Sequence, residues 1–375
     1  MILTLAFTNG FQYAIGQKVF NLWGDISVQR LSGNKSSLAE GLPIEKNDTV
    51  LRTLRANSEI KTIQAFATKN AVIRSGEGIE CVLLKGVEKG YDFGNLESFL
   101  RSGRWFHFRD TTYSNEIVLS TYTANQLKVK PGDKVLIYFI QSGQSGGQPR
   151  VRPMIVSGLF KTGIEDYDKT IAIGDLKLIQ RLNNWKDDEI GGYEIFTRDY
   201  RKADTVNSLI YPQLPQNWIS RTTEETYPNI FDWLNLQNIT IVIVLVIMIV
   251  VATLNLVTCL IILVLERTRM IGILKAVGTP DPVIQRIFLF QGAIITFFGL
   301  VLGNAFGLLV CWLQARYGLV TLPEDAYFIS KAVVRLEWWH LVLVNTGTFL
   351  ICFLVLMIPT LVIRKIQPAR AIQFR

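Results

Sequence analysis
Three stretches of this chain, 239–265, 287–313 and 341–363, contain no Asp, Glu, Lys or Arg. At about 1.5 Å of rise per residue, a helix of that length covers the roughly 30 Å hydrocarbon core of a bilayer. A single charge near its centre would cost about 2.5 to 3.5 kcal/mol even on a lenient insertion scale. The three stretches therefore read as complete transmembrane helices. Composition agrees: 49% of the 375 residues are hydrophobic and 19% are charged, too apolar for an ordinary pair of soluble domains.

The opening MILTLAF supplies about 10 Å of helix before the polar Thr8, Asn9 and Gly10, too little to span. It has neither the positive n-region nor the small-residue cleavage site of a signal peptide. It reads as an ordinary apolar N-terminus or, preferably, as residues 1–10 closing a membrane helix whose first half lies before Met1.

Charge orients the spans. Segments 266–286 and 364–375 together hold eight basic residues against Glu266 and Asp281, whereas 314–340 is balanced. The positive-inside bias makes the two basic segments a cytoplasmic connection and a cytoplasmic tail, with 11–238 and the loop 314–340 outside. Since most of the net charge of +8 is topological, nucleic acid is not an expected partner. Cys259, Cys311 and Cys352 fall in the spans, so Cys81 stands alone in the outer domain and no disulfide can form within it.

The outer region reads as two subdomains. ISVQRL alternates like a strand, TVLRTLRAN after Asn47 and Asp48 is a capped helix, and IKTIQAFATKNAVIRS with IECVLLKGV is a pair of strands. YEIFTRD is a further strand and ADTVNSLIYPQL a helix, which gives an α/β sandwich from 25–110 and 194–230. Residues 113–192 hold strand, helix, a turn at Pro131–Gly132–Asp133, a strong strand and then more β pattern, including KTIAIGDLKLI. They form a mostly β insertion.

Within it lies QSGQSGGQPRVRP, 141–153, with Gln141, Gly143, Gly146, Gly147, Pro149, Arg150, Arg152 and Pro153. A strand follows these glycines, which excludes a phosphate cradle, because that needs the N–H groups of a helix. The segment is either a loose hairpin connection or a projecting loop that docks a partner.

Catalytic chemistry is nearly absent. His107 and His340, in WFHF and WWH, rule out a multi-histidine metal centre and suit interfacial or core packing. No Gly-x-Ser-x-Gly or Cys-x-x-Cys occurs, and NKSS at Asn34 lacks the glycines of a nucleotide loop. No metal, cofactor or catalytic residue is expected, and any energy must enter from another protein.

The connection between the first two complete spans is ERTRMIGILKAVGTPDP. Residues 267–277 are helix formers, with Ile271, Leu274 and Val277 at three-residue spacing on one face and Arg267, Arg269 and Lys275 supplying charge. Gly278 suits a left-handed C-cap, and Asp281 with Pro282 suits an N-cap and first position for the next helix. A short rigid element at the cytoplasmic face results, with Ala276 and Gly278 small enough for a partner to approach.

This run resembles the signature of the FtsX-like permease family, in which a coupling helix sits on an ABC ATPase. Glu266, Arg267, Arg269, Ile271, Gly272, Ile273, Leu274, Lys275, Ala276 and Gly278 match the pattern, and Met270 stands where an acid is usual. The closing IQPARAIQFR is similar to the family's terminal motif at Pro368, Ala371 and Ile372. SGRWF followed by NEIVLSTYTANQLKVKPGDKV resembles the start of the β insertion in the lipoprotein-releasing (LolC/LolE-type) branch.

The resemblance implies an α-helical four-helix permease, its first helix truncated here, with a large α+β extracytoplasmic domain. That domain would combine a Porter-like α/β part with a Sabre-like insertion, whose loop at 141–153 would be the Hook that recruits a chaperone. It also implies the bacterial inner membrane with the large domain in the periplasm, a separate ABC ATPase (LolD-type) that binds the ATP, and a second permease subunit, same or paralogous. Lipoprotein cargo, a periplasmic lipoprotein chaperone (LolA-type) and membrane lipid complete the expected partners. MacB-type efflux permeases and FtsX-type regulators of wall hydrolases share the scaffold and are the competing readings.

Two further features follow from the spans themselves. Gly299, Gly303 and Gly307 fall one turn apart and suit close helix packing, within the subunit or between subunits; Asn255 and Thr253 could hydrogen-bond across the bundle. The run 239–265 is about 40 Å long and should project as a stalk, with Phe7, Phe11, Phe231, Trp233 and Leu234 at its outer mouth. Those five line an acyl-chain entrance or anchor the interface.

Overall fold
The computed structural model describes residues 1–31, 41–109, 112–139 and 149–365, with side chains throughout except at 325, 326 and 356–365. Two compact units divide the chain: Met1–Ala14, Asp232–Thr321 and Lys331–Arg375 form one, and Ile15–Phe231 with Leu322–Ser330 the other.

The first helix, α1 (Ile2–Trp23), continues well past Gly10, where the apolar run was expected to give way. The Thr8 hydroxyl donates back to the Thr4 carbonyl at 2.8 Å, so it is satisfied inside the helix. Gly10 has a second purpose: a Cβ there would lie 2.0 Å from the Val333 carbonyl oxygen, so only glycine lets the backbone at Val333 touch the helix. The helix stops at Gly24, whose φ of +72° lies in the left-handed region.

Strands β1 (Ile26–Arg30) and β2 (Ile44–Glu45) precede α2 (Asp48–Arg55), capped by the Asn47 side chain, which accepts from the N–H groups of Thr49 and Val50. A long hairpin follows, β3 (Ile60–Ser75) and β4 (Gly78–Val87). Next come β5 (Leu100–Gly103), β6 (Glu116–Ser120), α3 (Thr121–Leu127), β7 (Lys134–Phe139) and β8 (Arg150–Phe160). Then α4 (Glu165–Thr170), β9 (Ile171–Asp175), α5 (Leu176–Asn183), β10 (Glu189–Ile190) and β11 (Gly192–Thr197) lead to α6 (Ala203–Ile210), β12 (Trp218–Thr222) and α7 (Thr223–Thr226).

The pairing closes on itself. β3 pairs with β4, β4 with β9, β9 with β6, β6 with β8, β8 with β7, and β7 with β3 again. The sixteen residues of β3 make this possible. Its first half pairs with β11 through Ile60 to Phe66, and its second half pairs on the same edge with β7 through Ala71 to Arg74. Beyond the ring, β11, β1 and β12 extend the sheet on one side and β5 adds to β8 on the other. Ile73, Leu84, Ile117, Leu119, Ile137 and Val156, alternate residues of five ring strands, are fully buried in one core. The opposite faces of β4, β6 and β9 carry Leu83, Val87, Val118, Ile171 and Ile173, which pack with Val19, Leu22 and Trp23 of α1.

Strands β6 to β9 from the insertion 113–192 share one ring with β3 and β4 from outside it; periodicity reveals strands but not which strands they meet. One expectation changes here. The tail of KTIAIGDLKLI is the helix α5, begun by Asp175, whose carboxylate accepts from the Lys177 N–H at 3.0 Å.

The other unit holds α8 (Pro228–Glu266), α9 (Thr268–Ala276), α10 (Asp281–Tyr317) and, after α11 (Glu324–Tyr327) in the larger unit, α12 (Trp338–Lys365). Among the described residues three helices are long and apolar enough to cross a membrane: Pro228–Glu266, Asp281–Tyr317 and Trp338–Val355. A polar bond joins the last two, Asn304 Nδ2 donating to Asn345 Oδ1 at 2.8 Å.

At the α1–β1 junction Asp25 is buried and its carboxylate accepts from the Thr197 N–H at 2.5 Å and hydroxyl at 2.8 Å. Burial nevertheless raises its pKa above the ordinary aspartate value. A raised folded-state pKa favours folding fully below the unfolded value and loses that contribution as pH climbs through the folded value. Ionised Asp25 is therefore a liability at neutral pH. Asp25→Asn, which keeps an accepting oxygen, is expected to raise the melting temperature of the detergent-solubilised chain at neutral pH. Below the aspartate range the advantage should vanish in the same melting series.

Candidate functional site
The turn between α8 and α10 is built by three local devices. The Arg267 N–H still reaches the Leu263 carbonyl at 3.2 Å, but its ψ of 13° breaks the helix line before α9 starts. At the other end Gly278, with φ of +94°, lets its own N–H reach the Lys275 carbonyl and that of Thr279 reach Leu274, each at 3.0 Å. Pro280 then occupies the N-cap position of α10 and Asp281 the first helical position, so the helix begins one residue earlier than expected. The shift has a cause: the Asp281 carboxylate turns to the Lys275 ammonium at 2.8 Å.

The faces of α9 divide sharply. Ile271 is fully buried among Val264, Ile284 and Phe288, with Leu274 against them and Gly272 buried beside it. Met270, Ile273 and Val277, three and four residues apart, are 39%, 50% and 81% exposed. Val277 thus departs from the face it was expected to share with Ile271 and Leu274, because it lies at the C-cap where the helix is already turning. Glu266, Arg267, Arg269, Ala276 and Gly278 are exposed around this ridge, whereas Lys275 is drawn in as a brace.

Of the expected outer mouth, Phe11 meets Trp233 edge-on at 5.8 Å between ring centroids, and Leu234 is buried. Gln12, which the sequence did not single out, clasps the same turn of α8, its Nε2 donating to Asn238 Oδ1 at 2.7 Å and to the Leu234 carbonyl at 3.3 Å. Phe7 is half-buried, and Phe231 falls in the larger unit, 5.5 Å from Phe20. Of the glycines on α10, Gly307 has Ile2 of α1 at 3.7 Å from where a Cβ would stand, and Gly299 and Gly303 face open space. Gly299 lines a cavity of about 370 Å³ among α8, α10 and α12, together with Ala252, Asn255, Cys259, Thr348 and Cys352.

Gln141, Gly143, Gly146 and Gly147 lie outside the described residues, as do Pro368, Ala371 and Ile372. Pro149 directly precedes β8, and Arg150, Arg152 and Pro153 are already strand, Pro153 opposite Leu136. The Arg150 guanidinium does not project. It caps α5, donating to the Leu182 carbonyl at 2.8 Å and to Arg181 and Asn184 at 3.3 and 3.2 Å. His107 is 74% exposed rather than packed, while the His340 ring lies 3.8 Å from that of Trp339. No metal-ligating cluster occurs among the described residues, and all four cysteines are free.

The larger unit also holds a charge cluster assembled from distant segments. Lys18 of α1 donates to the carbonyls of Thr162 and Phe328, each at 2.5 Å, and Glu324 accepts from Lys161 at 2.9 Å with Lys18 3.8 Å away. Segment Leu322–Ser330 is fixed in this way to α1 and to the turn after β8. Isolated charges in a balanced loop gave no sign of it.

The two faces of α9 should respond differently to the same chemical change. Ile271→Asp buries an uncompensated carboxylate and is expected to destabilise the chain by at least about 3 kcal/mol. Ile273→Asp should stay within about 0.5 kcal/mol, both read from unfolding in detergent.

Comparison with known proteins covers both units. The MacB-like periplasmic core domain family matches residues 1–208, and the FtsX-like permease C-terminal family matches residues 242–368. The lipoprotein-releasing system transmembrane protein LolC of Xylella fastidiosa is 22% identical over 100% of this chain and 90% of its own length. LolC of Neisseria meningitidis serogroup B is 25% identical over 100% of this chain and 90% of its own. LolE of Haemophilus influenzae is 24% identical over 99% of this chain and 90% of its own. The chain belongs to the family defined by the MacB-like periplasmic core domain, joined here to an FtsX-like permease C-terminal region.

Proposed function
We propose that this chain is a permease subunit of an ABC transporter that extracts lipoproteins from the bacterial inner membrane and hands them to a periplasmic chaperone. The similarity to LolC and LolE proteins along the whole chain carries the reading. The chain itself takes no cofactor and catalyses no reaction; a separate ATPase subunit binds and hydrolyses ATP. MacB-type efflux and FtsX-type regulation of wall hydrolases are the outcomes that the test must separate from it.

In this reading α9 is the cytoplasmic coupling helix. Its apolar ridge of Met270, Ile273 and Val277 seats in the ATPase, Arg267 and Arg269 meet the rim, and Ala276 with Gly278 allows close approach. Met270 makes an apolar contact where relatives of this pattern would place an acid. Lys275 holds the angle between α9 and α10 through Asp281 instead of reaching the ATPase. Ile271 locks α9 to α8 and α10, so a push on the ridge moves all three together.

The membrane part works as four helices with α1 as the first. Phe11, Trp233 and Leu234 line the acyl-chain entrance with Phe7, and the open glycines Gly299 and Gly303 receive lipid or a second permease subunit. The β insertion presents the loop before Arg150 to the chaperone, with Arg150 fixing the return strand to α5.

Co-purification tests the assignment. The full chain should bring down an ABC ATPase and, on addition of lipoprotein, a periplasmic lipoprotein chaperone. Recovery of an outer-membrane channel or a peptidoglycan hydrolase in their place would overturn it. Ile273→Asp, at a position where folding tolerates the change, should lower ATPase recovery at least about tenfold.

A further inference from the structure
The central face of the larger unit contains a charge pair with no solvent contact. Lys85 of β4 and Glu194 of β11 lie on either side of β3, both fully buried, with the ammonium 2.6 Å from one carboxylate oxygen and 2.9 Å from the other. The Tyr91 hydroxyl is 3.4 Å from the same carboxylate. Burial lowers the Lys85 pKa and raises that of Glu194, and each partner draws the other back.

Such a pair is a poor device for stability. Two desolvated charges recover little more than two well-packed apolar side chains would, and a buried pair can be replaced by apolar residues at no loss. What an apolar residue cannot do is donate a hydrogen bond. The Lys85 ammonium also donates to the Leu22 carbonyl, one of the last carbonyls of α1, and sits 4.9 Å from the centroid of the Trp23 ring. The end of a helix leaves its carbonyls unpaired and carries partial negative charge, so a cation there bonds to the helix as a whole.

The other side of the same junction is tied to α7 and, through Phe231, to the start of α8. The Gly24 carbonyl accepts from the Thr223 hydroxyl at 2.6 Å and the Asp25 carbonyl from the Thr223 N–H at 2.9 Å. The Trp23 and Tyr227 rings lie 6.1 Å apart, and Phe20 meets Phe231 at 5.5 Å. A bulkier residue than Gly24 would be strained: a Cβ would stand 3.1 Å from the Ile195 carbonyl and 3.3 Å from the Glu194 Cβ, on a backbone already left-handed.

We infer that Lys85, held and oriented by Glu194, is the positioning residue that fastens the end of α1 to the sheet and so makes the periplasmic domain follow that helix during lipoprotein release. This rests on the permease reading. The ammonium is the tether, the carboxylate keeps it charged and aimed, and the aromatic rings of Trp23 and Tyr91 exclude water from the bond.

The test uses the full chain with the ATPase that co-purifies with it, and a triacylated model lipoprotein in spheroplasts as the released cargo. The double variant Lys85→Met/Glu194→Met should fold, melt no lower than the parent and hydrolyse ATP within about twofold of it, yet release lipoprotein at least about tenfold more slowly. Glu194→Gln, which leaves the Lys85 nitrogen able to donate to Leu22 but no longer holds it as a cation, should release more slowly than the parent and at least about threefold faster than the double variant. A double variant that releases like the parent, or that does not fold, overturns the inference, as does a Glu194→Gln variant that loses as much as the double one. A parent chain that releases no lipoprotein removes the permease reading itself, a result distinguishable from any of these.

Discussion

The closed run of strand pairing from β3 through β4, β9, β6, β8 and β7 back to β3 is the constraint that organises the larger unit. A closed ring leaves none of its members as an edge and couples each strand to two neighbours, so local opening must break bonds on both sides. It exists because β3 is long enough to exchange one partner for another along the same edge. β11 occupies the first half, β7 the second, and the sheet that carries the end of α1 is thereby continuous with the ring. Lys85 and Glu194 belong to strands on either side of that shared β3, so whatever grips Leu22 grips the whole assembly.

In the membrane unit the governing cost is that of polar groups in hydrocarbon. Most are dealt with locally: the Thr240, Thr258 and Thr296 hydroxyls each donate to the carbonyl four residues earlier. Asn304 and Asn345 answer each other between α10 and α12. Gln12 and Asn238 do the same between α1 and α8. These pairs fix helix rotation, which uniform Leu, Ile and Val surfaces cannot, because lipid tails compete with such surfaces on equal terms. The turn at α9 is held by apolar contact on its inner side and by Lys275 with Asp281 at its base, leaving its outer ridge unencumbered.

Much of this was legible in the residues. Uncharged runs mark the three long helices, Asn47 marks the start of α2, and Gly278 marks the end of α9, because each reflects chemistry confined to a few neighbours. The α/β character of the outer domain was visible in alternation and caps. Less visible was anything that depends on meeting a distant segment. Lys85 in IECVLLKGV shares its strand face with Leu83 and Val87, and only the arrival of Leu22 and Glu194 explains how a charge is buried there. That strands of 113–192 close a ring with β3 and β4 was hidden for the same reason, since alternation is blind to partners. Arg150 looked like a projecting cation beside a glycine-rich loop and instead closes α5. The single face expected of Ile271, Leu274 and Val277 broke at its last member because a helix end rotates its final residues away from the ideal face.

Lys18, Lys161 and Glu324 come from parts of the chain more than a hundred residues apart, yet they share one knot of ion pairs and carbonyl bonds. A carboxylate lost from position 324 would take the ion-pair partner from both lysines at once, leaving Lys18 to its two carbonyls, whereas either lysine can go and leave the other its pair. Exchange of the short segment 322–330 alone would therefore carry half a lock, the acceptor at 324, into a body whose cations at 18 and 161 are set to meet it.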